Sequence, residues 1–411
     1  MCCPDRDRAR STASPCLWLI ALLLVVSSAC IGAREANARQ STEVWLVTYG
    51  PGEIYWQRFG HNGIWIRDPG LGLDHVFNFG FFDFEQKGFL KNFLQGRLLY
   101  FSAAQPAQRE FAQYIDEDRS IRAQRLDLSV QQALALTEFL VNEVQPENRD
   151  YLYHYYRNNC STRVRDALDQ ALGGAIRAAF EPNAAKQNLR DHTRRLTIAD
   201  YWLYLGLELA LGSPVDQPIS RWEEFFIPAK LAEGVAQLDE LQPPGERHLV
   251  IEDVMLFQST HKGPPLQVAA WWPRFLLPAL AVLLASALLS RMIPLLGPVT
   301  LARAWLSISA CLGLAILYFW FFTDHDVARN NMNIALFNPV WLLCWAGRRF
   351  YLPTAGLVAG LGVVALLLTQ LPPHQYTADA LAAFLPLNLA AAAVLWHSAR
   401  KPGESSIIQL G

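Results

Sequence analysis

After about residue 271 the composition changes from a mixed pattern to long apolar stretches: Phe275–Leu289, Ala304–Phe322, Ile334–Ala346, Leu352–Leu371 and Ala378–Trp396. Most are near the roughly 17–25 residues that a helix needs to cross the hydrocarbon core, and a backbone in lipid must satisfy its own hydrogen bonds. The C-terminal part is therefore expected to be a helical bundle of five spans. The third is short and contains Pro339. Arg291 and Arg303, Arg348 and Arg349, and Arg400 and Lys401 all fall on one side if residues before 271 are exported. The positive-inside bias makes that side cytoplasmic. The loops Thr323–Asn333 and Pro372–Thr377 carry no lysine and one arginine, Arg329, and are expected to face the periplasm.

The N-terminus agrees with export. Arg6, Arg8 and Arg10 precede the apolar run Leu17 to Val26 and the small-residue site Ala36-Asn37-Ala38, which reads as a secretory signal peptide. The expected layout is a signal peptide at 1–38, a periplasmic domain at 39–241, a linker at 242–271 and a membrane domain at 272–401. A cytoplasmic tail at 402–411 completes it. Localisation is then the bacterial inner membrane, multi-pass. The net charge of −2 is uninformative, nothing in the sequence suggests a nucleic-acid surface, and the scattered histidines make no metal set. No cofactor is expected.

Of seven cysteines, Cys2, Cys3, Cys16 and Cys30 belong to the leader region, and Cys311 and Cys344 to apolar segments. Cys160 is left alone in the exported part. A lone thiol in an oxidising compartment has no disulfide partner in its domain, which favours reactivity as its role. It opens an expected helix, Ser161–Leu172, with the stripe Val164, Leu168, Leu172 and the terminator Gly173-Gly174. A helix N-terminus favours thiolate, so a lowered pKa is expected. The base candidate is His61 in Phe59-Gly60-His61-Asn62-Gly63, at the start of a strand. Asn78, on a neighbouring strand, is placed to orient the imidazole by accepting its Nδ1–H, with Asp83 as competitor. His75 and His154, among aromatics, read as packing. Oxyanion or substrate-proximal groups are sought in the Cys160 N–H, Asn159, Tyr153 and Arg163.

Strands are expected at Glu43–Tyr49, Asn62–Arg67, His75–Gly80, Leu98–Ala103 and Arg119–Leu126. Helices are expected at Lys87–Leu94, from Ser129, at Ile198–Leu211 and beyond Pro228. The loop with His325, Asp326, Asn331 and Asn333 brackets the short third stretch. It reads either as a polar cap for the next helix or as a headgroup or acceptor site at the membrane surface.

Several runs together are specific: Thr48-Tyr49-Gly50-Pro51-Gly52, Phe59-Gly60-His61, Asn78-Phe79-Gly80-Phe81-Phe82-Asp83-Phe84, Pro146-Glu147-Asn148-Arg149 and Asn159-Cys160-Ser161-Thr162-Arg163. Over roughly residues 43–235 this set resembles the Lnb-type periplasmic domain associated with bacterial lipoprotein N-acyltransferases. Asn330-Asn331-Met332-Asn333 and Asn338-Pro339 are similar to that family's membrane part. The order histidine then cysteine is also similar to the lecithin:retinol acyltransferase branch of permuted papain-like thiol enzymes. The resemblance implies an α+β, permuted papain-like (NlpC/lecithin:retinol acyltransferase-like) exported domain followed by a transmembrane bundle. It implies a thioester mechanism in which Cys160 takes an acyl chain from a phospholipid donor and passes it to an amine, such as a lipoprotein N-terminus. Two other readings stay open: a cysteine amidohydrolase or peptidase acting on cell-wall peptides, and a non-enzymatic scaffold or transporter with an exported binding domain.

Overall fold

The computed structural model describes residues 42–238, 248–268, 270–293, 296–370 and 374–401. The expected signal peptide, the start of the linker at Gln242-Pro243-Pro244-Gly245 and the expected tail lie outside the described residues.

The N-terminal domain is α+β. Its strands are β1 (Glu43–Tyr49), β2 (His61–Asp68), β3 (Leu73–Phe81), β4 (Leu98–Pro106), β5 (Ile121–Leu126), β6 (Asp150–Tyr153) and β7 (Val250–Phe257). All pair antiparallel in the order β6-β4-β3-β2-β1-β5-β7. Helices α1 (Phe89–Gln95), α2 (Ala107–Asp116), α3 (Val130–Glu143), α4 (Cys160–Ala171), α5 (Ala175–Phe180), α6 (Leu189–Thr197), α7 (Tyr201–Ala210), α8 (Arg221–Glu224) and α9 (Pro228–Gln237) surround it. The expected linker is corrected here, because β7 lies within it and pairs with β5 along its length.

Strand alternation divides the apolar side chains between two layers. Val44, Leu46, Ile64, Ile66, Phe77 and Phe79 pack with Leu136 and Leu140 of α3, Val164 and Leu168 of α4, and Leu231 of α9. On the other face Val47 and Tyr49 meet Trp65, Phe111 and Tyr114. Val164 and Leu168 are fully buried, each worth about 1.5–3 kcal/mol of transfer free energy, so the stripe holds α4 against the sheet.

Among the described residues, four helices are long and apolar enough to cross a membrane: Trp272–Met292, Pro298–Phe322, Arg348–Leu368 and Ala378–Arg400. We label the corresponding α-helices α10 (Trp272–Met292), α11 (Pro298–Phe322), α12 (Tyr351–Leu368) and α13 (Ala378–Arg400). The expected third span is not an α-helix. Met332–Ala335 and Pro339–Trp345 are 3₁₀ turns, each begun by an asparagine cap, Asn331 and Asn338. This segment still runs the length of α11: Phe337 O lies where a Gly313 side chain would be, and Trp345 Nε1 donates to Ser307 at 2.8 Å. Such backbone is tolerated at membrane depth only inside protein, and Leu336, Phe337, Trp341 and Cys344 are all buried. Arg348 bonds Ser398 O beside Arg400, and Arg303 stacks on Trp345. These basic side chains therefore gather at the end of the bundle away from the N-terminal domain.

Candidate active site

Three glycines shape the place where His61, Asn78 and Cys160 meet. Gly60 has φ +82, and a side chain there would sit 2.8 Å from Tyr49 O; this turn sets His61 opposite Tyr49. Gly63 pairs with Asn78, and a Cβ on it would be 2.8 Å from Asn78 Oδ1. The missing side chain is the space through which Asn78 reaches His61. Gly80, at φ +99 in the bulge between Asn78 and Phe81, would place a Cβ 3.3 Å from Cys160 Cβ. Glycine in the left-handed region is thus what lets the first turn of α4 close on the sheet end.

His61 Nε2 lies 2.9 Å from Asn78 Oδ1. Asn78 donates through Nδ2 to Val76 O at 3.2 Å and to Glu110 Oε2 at 2.7 Å. Since a carbonyl only accepts, the amide orientation is fixed, and its oxygen must receive the Nε2–H of His61. The expectation that Asn78 holds Nδ1–H is therefore corrected: Nδ1 is the unprotonated nitrogen, free to act as base. Tyr49 stacks on the imidazole and donates to Glu110 Oε1 at 2.5 Å. Burial pushes the Glu110 carboxyl up to about 7 against the pull of these two donors.

A cavity of about 230 Å³ is lined by His61, Asn78, Cys160, Glu110, Tyr114 and Arg119, with Trp56, Phe81, Phe82, Tyr100 and Tyr153 on its apolar wall. Burial raises the Cys160 thiol to about 11 although the backbone N–H groups of Asn62 and Ser161 pull it down. Burial also lowers the His61 imidazole to about 4. The lowered thiol pKa expected from the helix terminus is therefore overturned: desolvation outweighs the dipole, and the pair rests as thiol and neutral imidazole. Arg119 is buried, bonded to Gly50 O at 2.9 Å, and stacked on Tyr114. Its charge lowers both Cys160 and His61.

Tyr153 lies on the cavity wall, stacked on Tyr100 at 4.1 Å. Burial holds its phenol well above the ordinary value, so it stays a donor. Asn159 does not reach the cavity. Its Oδ1 accepts from Ser161 N and Thr162 N, and its Nδ2 donates to Tyr155 O and Phe226 O, so the side chain is consumed as the cap of α4. Arg163 turns away to Glu143 and stacks on Tyr151. Asp83 caps a turn through Glu85 N. His154 pairs with Asp326, and His75 stands on β3 opposite Pro106.

The expected headgroup loop is a clamp between domains. Asn331 donates to Leu209 O and Ala210 O, and Asn333 to Glu208 O, so both amides cap the C-terminal end of α7. Asp326 binds His154 and Arg157, while His325 bonds Phe93 O. Deeper in this junction Arg194 and Tyr204 meet Asp379 of α13. Sequence reasoning missed Glu110, Tyr49 and Arg119, although Tyr49 lies within a quoted motif. A larger cavity, about 610 Å³ between α3 and α4, is lined by Ser129, glutamines, alanines and Phe139, with no histidine, cysteine or charged residue.

Residues 32–196 match the family model of the Lnb N-terminal periplasmic domain, the family that the motifs resemble. No curated protein and no solved structure matches the chain. Over those residues the chain is similar to the Lnb N-terminal periplasmic domain, and its described residues continue into four helices long and apolar enough to cross a membrane.

Proposed function

We propose that this protein is a membrane-tethered cysteine acyltransferase that moves an acyl chain from a phospholipid to an amine, with a lipoprotein N-terminus as the fitting acceptor. The observation that carries this reading is the fixed tautomer of His61. Asn78 holds Nε2–H, which leaves Nδ1 as a base in the same cavity as the one thiol of the exported domain.

In the first half-reaction the Cys160 thiol proton passes to His61 Nδ1 as sulfur attacks the ester carbonyl carbon. The imidazolium then protonates the departing lysophospholipid oxygen, leaving a thioester. In the second, the amine nitrogen attacks the thioester carbon and gives a proton to His61. Sulfur leaves as thiolate, recovers that proton, and the amide departs. The Tyr153 hydroxyl and the Cys160 backbone N–H are the groups we assign to the carbonyl oxygen. An aromatic, desolvated wall suits an acyl chain better than a peptidoglycan fragment. The order of His61 and Cys160 is compatible with a permuted papain-like arrangement, and the grouping of Arg303, Arg348 and Arg400 supports an inner-membrane orientation with the C-terminus cytoplasmic.

The test is acylation of a diacylated lipopeptide with a free N-terminus by purified protein in phospholipid vesicles. Triacylated product from wild type, and none from Cys160→Ala, is expected. Free fatty acid without peptide acylation would replace the transferase with a hydrolase, and product from Cys160→Ala would remove the thiol mechanism.

A further inference from the structure

The exported domain presents apolar side chains beside the Cys160 cavity that remain exposed among the described residues: Trp56 at 53% exposure, Phe84 at 58%, Leu90 at 67%, Phe93 at 41% and Leu94 at 40%. Helix α1, with sequence FLKNFLQ, carries most of them, has no acidic residue, and with the exposed Lys87 and Lys91 shows the composition of an interfacial helix.

Its height relative to the bilayer is fixed by the membrane domain. Helix α11 ends in the aromatic run Tyr318–Phe322, with Phe321 and Phe322 exposed at 65% and 72%, the signature of an interfacial belt. Two residues on, Asp324 N donates to Gln95 O at 2.8 Å and Arg97 Nε to Asp324 at 2.8 Å. His325 Nε2 lies 3.0 Å from Phe93 O. A side chain on Gly96 would stand 2.9 Å from His325 N, so the contact is close along the backbone. The C-terminal end of α1 is thereby pinned at the level of the aromatic belt. From there rings in contact lead inward: Phe93 to Phe89, Phe89 to Phe82, Phe82 to Tyr100 and Tyr100 to Tyr153, centroids 6.2, 6.3, 5.1 and 4.1 Å apart. Phe82, Tyr100 and Tyr153 line the cavity with Cys160.

We propose that α1 and the loop leading into it from Phe82 lie in the interface of the same bilayer that holds the spanning helices, and that this surface admits lipid acyl chains to the Cys160 cavity. The second half rests on the acyltransferase reading; the first does not. The full chain, in nanodiscs of phosphatidylethanolamine and phosphatidylglycerol, is tested with benzoylphenylalanine replacing Leu90 or Leu94. Phe321 serves as the lipid-facing reference and Val141 on α3 as the solvent-facing one. Lipid adducts at positions 90 and 94 comparable with 321, and absent at 141, are expected. Labelling at 321 alone, or adducts to protein instead of lipid, would overturn the interfacial surface.

The entry route is tested with the double variant Leu90→Glu, Leu94→Glu. Cys160 acylation from bilayer phospholipid should fall about tenfold, while acylation from monomeric dihexanoyl phosphatidylcholine stays unchanged. Equal loss with both donors would overturn the route. Absence of acylation in wild type with either donor would remove the route together with the acyltransferase reading, and the lipid adducts would then judge the surface alone.

Discussion

His61 Nε2 and Asn78 Oδ1 stand 2.9 Å apart, and Asn78 spends both amide hydrogens elsewhere, on Val76 O and Glu110. The asparagine therefore selects the tautomer of the base as well as its direction. Asn78→Ala should lower thioester formation on the order of 10²-fold with the fold retained by circular dichroism. A rate unchanged within error would show that another group orients the imidazole.

The resting pair is neutral, which fixes how the thiol responds to pH. With Cys160 at about 11 and His61 at about 4, the thiolate fraction is small at neutral pH. It should be about a hundredfold below that of an ordinary thiol. Iodoacetamide alkylation of Cys160 should be slow at pH 7 and climb steadily toward about pH 11. Fast alkylation with a plateau near neutrality would indicate a thiolate–imidazolium pair instead.

Glu110 gives a stability signature of opposite sign to an ordinary paired carboxylate. Its folded pKa is raised to about 7 from an ordinary 4.5, so the folded protein holds the proton where the unfolded chain has lost it. The contribution is fully present below the unfolded value and disappears as pH rises through about 7. Relative to wild type, Glu110→Gln should therefore gain stability between pH 5 and pH 8 in thermal melts. An offset identical at both ends would contradict this.

At Gly80 the backbone φ of +99 strains any side chain, and the 3.3 Å approach means that Cys160 must give way by a few tenths of an ångström to admit a Cβ. Gly80→Ala should cost about 1–3 kcal/mol from backbone strain alone and displace the thiol, lowering activity further than stability. Full activity with an unchanged melting temperature would refute the packing argument.

The two domains are locked by a buried charge. Asp379 is fully buried and receives Tyr204 OH at 2.6 Å and Arg194 at 3.4 Å. Removing it with Asp379→Ala leaves Arg194 without its nearest carboxylate, at a cost of about 3–5 kcal/mol. Protease sensitivity should appear first in residues 323–333, the clamp between the domains. Unaltered digestion would mean that the junction holds by its apolar contacts.

His61, Asn78 and Cys160 were legible in the sequence because each sits beside a glycine or cap that the fold needs at that spot. Glu110 was not, since its helix α2 follows β4 without a break, with Pro106 both ending the strand and standing at the N-cap of the helix. Apolarity located the segment Met332–Trp345 but says nothing about how tightly the backbone winds; the asparagine caps and Pro339 were the available signal. The raised thiol pKa was hidden because a helix terminus is visible in a sequence while desolvation depends on which aromatic rings the tertiary fold brings around the sulfur. Asn331 and Asn333 looked like site residues because polar side chains near a membrane have two uses, and capping α7 across the domain junction leaves no local trace.

The most direct test of the central claim is intact mass spectrometry of detergent-purified protein incubated with phospholipid, with and without hydroxylamine. A hydroxylamine-labile addition of fatty-acyl mass in wild type, absent from Cys160→Ala, is the predicted result. No adduct in wild type or in a His61 variant slowed at turnover, or an adduct that survives in Cys160→Ala, would contradict a thioester enzyme.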